Sequence, residues 1–78
     1  MSRESDFLIY CMERYRYFKR LSGVDVAKIF DKYGVYGYLT KYFESLHTMG
    51  DHYIVQDIDE YIGSMTGNMP VTATNNKI

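Results

Sequence analysis

The chain has 78 residues, 46% of them hydrophobic and 24% charged, with a formal net charge of −1. That composition is globular and excludes a wholly disordered or collagen-like chain; the charge argues against a protein that coats DNA or membrane through excess Lys and Arg. The single cysteine, Cys11, leaves no internal disulfide and no multi-cysteine zinc site.

The first predicted helix covers residues 6–21. At 100° per residue, Phe7, Leu8, Cys11, Tyr15 and Phe18 share one side. Tyr10, Tyr17 and Leu21 extend that arc along one edge, and Glu13, Arg16, Lys19 and Arg20 lie opposite. Ser5 is read as the N-cap. Ser22, with Asp25 three residues on, opens a second helix over about 24–33, whose apolar face is Val26, Ile29, Phe30 and Tyr33. Gly34 is suited to end it in a left-handed conformation. A third helix runs from about Tyr36 to Thr48, with Leu39, Tyr42, Phe43 and Leu46 as its stripe. Tyr53-Ile54-Val55 reads as a short extended connector, since a lone strand has no partner. The last helix starts at Asp57, with Glu60 in the capping-box position, and carries Ile58, Tyr61, Ile62 and Met65. The expected architecture is therefore all-α: one four-helix domain over 1–65 with a short connector, then a flexible polar tail over 66–78.

The longest apolar run is Phe7–Met12, closed by Glu13 and Arg14. A spanning helix needs about 20 apolar residues, and a signal peptide needs a longer stretch and a cleavage site. No membrane association and a cytoplasmic location are expected. A core of this size rarely supplies more than ~3–5 kcal/mol, so a homodimer or another partner is expected as well.

Few residues suggest chemistry. His47 and His52 are five apart and flank a glycine, which matches no zinc pattern even with Asp51 added. A packing or turn role is expected for them. Cys11 sits on the most apolar part of helix 1, where a thiol is inert. Asp57, Asp59 and Glu60 stand at a predicted helix N-terminus, where negative charge is stabilising in its own right. No P-loop, nucleophile elbow or glycine-rich phosphate cradle occurs. No catalytic residue, metal or cofactor is expected.

Arg14, Arg16, Lys19 and Arg20 form one basic cluster. Residues 1–35 hold seven basic and five acidic groups, and residues 36–78 hold two and five. Arg14 falls inside the apolar arc, where a cation needs a partner. A buried ion pair with Asp57, Asp59 or Glu60 is expected. Nine tyrosines and four phenylalanines, with no tryptophan, are the strongest compositional signal. Tyrosine joins a large apolar area to a polar tip, which suits interfaces as well as core boundaries. The expected partner surface is Tyr10, Tyr17 and Tyr38, with Arg16 and Arg20 at its rim.

Three stretches carry a resemblance: Tyr33-Gly34-Val35 through Tyr38-Leu39, Leu46-His47-Thr48-Met49-Gly50, and Tyr53-Ile54-Val55-Gln56-Asp57-Ile58-Asp59-Glu60-Tyr61-Ile62. With the opening Phe7-Leu8-Ile9-Tyr10-Cys11-Met12-Glu13, they resemble a small bacterial family, domain of unknown function 3791, over about residues 5–63. The resemblance implies a small, mostly helical protein with no established catalytic residues. It also implies a partner or antitoxin-like role beside ADP-ribosyltransferase-like proteins encoded nearby.

The function expected is therefore a non-enzymatic protein–protein interaction module. The alternative is a small nucleic-acid-binding regulator, because helices 2 and 3 around Gly34 loosely resemble a helix-turn-helix. A recognition helix should present basic or amide groups to the groove, however, and helix 3 offers only Lys41 among tyrosines. An enzyme would need His47, His52 and Asp51 within mutual reach.

Overall fold

Ser2 opens the first helix. Its backbone is extended, and its hydroxyl accepts a hydrogen bond from the Ser5 N–H at 3.0 Å. Ser5, the cap expected from sequence, lies inside the first turn. With Ser2 as the cap, Glu4 joins Asp6 in that turn, where the helix dipole favours negative charge.

The computed structural model describes residues 2–67. It contains five helices: α1 (Arg3–Lys19), α2 (Gly23–Lys32), α3 (Val35–Lys41), α4 (Phe43–Leu46) and α5 (Asp51–Thr66). No strand occurs among the described residues. The protein is all-α. Of the expected tail, Thr66 closes α5 and Gly67 caps it, while residues 68–78 lie outside the described residues.

α1 ends on Arg20 in the left-handed region, at φ 57°. The Arg20 N–H bonds to the Tyr17 carbonyl at 3.4 Å, and the Leu21 N–H bonds to the Arg16 carbonyl at 3.0 Å. Those two bonds make a Schellman motif, with arginine where glycine is usual. Ser22 caps α2 as expected, accepting from the Asp25 N–H at 3.1 Å. Gly34, at φ 65°, supplies the left-handed step between α2 and α3.

The third predicted helix is two helices. Tyr42, at φ −105° and ψ 23°, leaves helical geometry and separates α3 from α4. Beyond that bend Phe43 packs edge-on against Phe7, with ring centroids 5.4 Å apart. Periodicity alone could not show the bend, because the apolar stripe continues through it.

The expected connector is also helical. Gly50 is the extended N-cap of α5, and Asp51 begins the helix, so Tyr53, Ile54 and Val55 lie within its first two turns. Ile54 and Val55 are buried. Burying an aliphatic side chain contributes about 1.5–3 kcal/mol, which outweighs a β-branched residue's loss of a few tenths in helix propensity. Asp57 and Glu60 therefore sit in mid-helix and form no capping box.

The core joins all five helices: Phe7, Cys11 and Tyr15 from α1, Val26 and Phe30 from α2, Val35 and Leu39 from α3, Phe43 and Leu46 from α4, and Ile54, Val55 and Ile58 from α5. Three residues expected on apolar stripes, Phe18, Tyr42 and Met65, are exposed instead. No helix among the described residues is long and apolar enough to cross a membrane.

Candidate functional site

α1 and α5 pack against each other, and their junction leaves a row of aromatic rings at the surface. The Arg14 guanidinium reaches Asp51 in the first turn of α5, with Nη1 to Oδ2 at 3.4 Å. The same guanidinium lies over the Tyr17 ring, 5.1 Å from its centroid. Tyr17 packs edge-to-face on Phe18 at 5.3 Å, and Phe18 does the same on His52 at 5.7 Å. Tyr17 is 62% exposed and Phe18 39% exposed, so Tyr17 is largely uncovered and Phe18 is covered over part of its surface only. Beside them an open concavity of about 290 Å³ is lined by Phe18, Lys19, His52, Val55, Gln56 and Asp59.

Arg14 is partly buried and paired, but not with Asp57, Asp59 or Glu60. The six-residue earlier start of α5 brings Asp51 beside it and carries the other carboxylates further along the helix. Asp59 instead accepts from the Tyr15 hydroxyl at 2.7 Å and pairs with Lys19 at 2.7 Å. Asp57 accepts from the Tyr38 hydroxyl at 2.5 Å. Glu60 is exposed. Burial, then the bonds donated to Asp59 and Asp57, pushes both tyrosine hydroxyls above their ordinary range.

Of the expected partner surface, Tyr10 and Tyr17 are exposed on α1. Tyr38 does not offer its hydroxyl outward. That hydroxyl is bonded to Asp57, and the ring stacks on Tyr61 with centroids 4.1 Å apart. The correction again follows from α5: its helical Asp57 faces α3 rather than capping a helix start. Arg16 is exposed and bonded to Glu13 at 3.0 Å, and Arg20 is exposed at the end of α1.

The histidines and Asp51 have separate partners. His47 Nδ1 lies 2.8 Å from the Phe43 carbonyl, and its ring stacks on Phe43 at 4.5 Å. A carbonyl only accepts, so Nδ1 carries the proton and donates. That is the turn-stabilising role expected. His52 packs on Phe18, and Asp51 pairs with Arg14. Among the described residues no group of three or more His, Cys, Asp and Glu is placed to hold a metal ion. Cys11 is fully buried, and desolvation pushes its thiol up to about 12.

Sequence reasoning missed Phe18 and His52 as surface residues and Asp51 as the partner of Arg14. The available signal was Gly50-Asp51, a glycine followed by an acid, which marks a helix start.

No curated protein and no solved structure matches this sequence. The family described as a protein of unknown function, DUF3791, matches residues 6–64, from the first turn of α1 to the last turns of α5. A match over that much of the chain places it: the chain belongs to the DUF3791 family.

Proposed function

We propose that this domain is a non-enzymatic protein-interaction module of the bacterial cytoplasm that binds a protein partner across the α1–α5 junction. The partner is a protein encoded nearby, which the domain regulates in an antitoxin-like way. The observation that carries this reading is the row Arg14, Tyr17, Phe18 and His52, whose members touch in sequence at the surface. Aromatic residues and arginine dominate binding energy where proteins meet. Rings already fixed against one another lose little rotamer freedom on binding, and that lowers the entropic cost of association.

Electrostatics favours this reading over nucleic-acid binding. Three of the four residues in the basic cluster are engaged by carboxylates: Arg14 by Asp51, Arg16 by Glu13 and Lys19 by Asp59. Affinity for nucleic acid comes largely from cations that neutralise phosphates. In addition α3, the would-be recognition helix, has only seven residues and buries Val35 and Leu39.

Affinity capture from the native cell, with mass spectrometry, tests the proposal. The wild-type domain is expected to recover one stoichiometric protein, and Phe18→Ala to lose it while remaining folded by circular dichroism, with a melting temperature lowered only by the loss of its contacts to Tyr17 and His52. Unchanged recovery with Phe18→Ala, or recovery of nucleic acid that resists moderate salt, contradicts the proposal.

A further inference from the structure

The outward face of α1 holds a second pattern, which shares Tyr17 with the junction row and otherwise lies beside it. Asp6, Tyr10, Glu13, Tyr17 and Arg20 recur at alternating steps of four and three residues and are all exposed. That spacing draws a seam along one side of the helix, with Tyr10 and Tyr17 as its large members and Asp6, Glu13 and Arg20 as its charged ones. Ile9 and Arg16, also exposed, flank the seam. Ile9, Tyr10 and Tyr17 are 51%, 44% and 62% exposed, so three large apolar side chains are left uncovered on this one face.

The charges on the face are segregated. Asp6 lies toward the N-terminal end and Arg20 at the C-terminal end, while Glu13 and Arg16 between them neutralise each other through a 3.0 Å bond. The other α1 cations are drawn off the face: Arg3 lies over the Phe43 ring, Arg14 pairs with Asp51 and Lys19 with Asp59. A helix with one acidic end and one basic end is complementary to a copy of itself running the other way.

We propose that this face binds a second copy of the chain, with the two α1 helices antiparallel about a two-fold axis. The inference rests on the interaction reading above and names one partner of the module. In this arrangement Asp6 of each copy faces Arg20 of the other, so that contact occurs twice, and Glu13, which falls at the axis opposite its own copy, is compensated by its bond to Arg16. Tyr10 and Tyr17, about 10 Å apart along the helix, meet the tyrosines of the other copy across the seam. A parallel arrangement would oppose Asp6 to Asp6 and Arg20 to Arg20, and like charges set face to face disfavour it.

The test is charge reversal with rescue, read by light scattering on the full chain at low ionic strength. The wild type is expected at twice its chain mass of 9.2 kDa. Asp6→Lys is expected to be monomeric, because both ends of its seam are then basic. The double variant Arg16→Glu with Arg20→Glu is expected to be monomeric, because both ends are then acidic. An equimolar mixture of the two is expected to recover the dimer. Circular dichroism reports whether each variant stays helical; if one does not, Tyr17→Ser, at the most exposed ring of the seam, replaces it and is expected to be monomeric. A monomeric wild type overturns the proposal, and so do variants that remain dimeric or a mixture that stays monomeric. Phe18 lies at the α5 junction and off this seam, so loss of capture by Phe18→Ala and loss of the dimer by the charge variants are read separately; Tyr17, which the two surfaces share, does not separate them.

Discussion

Cys11 lies at the centre of the core with its thiol held protonated up to about 12, against an ordinary value of 9.0. The folded state keeps a proton that the unfolded chain releases above pH 9, so stability is full below that pH and falls as pH rises toward 12. Tyr15 and Tyr38 act in the same direction from pH 10 upward, since both hydroxyls are raised above 10.0. Urea midpoints measured across this range are expected to fall with rising pH. Cys11→Ala should flatten the first part of that fall while lowering the neutral plateau, because it leaves a small cavity. A midpoint that rises above pH 9 contradicts the burial. Arg14 and Asp51 are each about one-third exposed, at 34% and 36%, so solvent screens their attraction. A double-mutant cycle should give a coupling below ~1 kcal/mol. Arg14→Ala should still cost more than Arg16→Ala, because Arg14 also covers the Tyr17 ring. Equal effects on the urea midpoint would place Arg14 in solvent.

The two glycines of the α2–α3 region make opposite predictions. Gly34 is left-handed at φ 65°, and a Cβ there would meet the Tyr61 hydroxyl at 3.6 Å. Gly34→Ala should cost ~1–2 kcal/mol in chemical denaturation. Gly37 is helical with open space at its Cβ, so Gly37→Ala should stabilise by ~0.5–1 kcal/mol. Stabilisation by both, or loss by both, contradicts the backbone geometry. Gly34 was legible in the sequence because a glycine after a periodic stretch is a local signal, and so was the Ser22 cap. The bend at Tyr42 and the start of α5 were not. Leu39, Phe43 and Leu46 continue one stripe whether or not the helix bends. Tyr53-Ile54-Val55 has the local preference of extended chain, and burial of Ile54 and Val55 overrides it. That misplaced start then displaced the carboxylates: Asp51 was overlooked, and Asp57 and Asp59 were assigned to Arg14 rather than to Tyr38 and Tyr15.

Across the whole molecule, α1 is the element with two tasks. Its inward face supplies Phe7, Cys11 and Tyr15 to the core, and its remaining surface carries Tyr10, Tyr17 and Phe18. Tyr10 and Tyr17 were readable as surface residues because they sit at the edge of the helical arc. Phe18 was not, since its exposure depends on where α5 crosses α1. On the proposed function, the aromatic anchors of this helix with Arg14, rather than its rim cations Arg16 and Arg20, hold the protein partner. The most direct measurement is a salt titration of the affinity of the captured complex, repeated with Tyr17→Ala and with Arg16→Ala, Arg20→Ala. The expected result is a shallow log–log slope, a loss of ~2 kcal/mol or more for Tyr17→Ala, and mainly slower association for the arginine variant. A steep slope that disappears when Arg16 and Arg20 are removed, with Tyr17→Ala nearly silent, would contradict the claim and point to phosphate contacts.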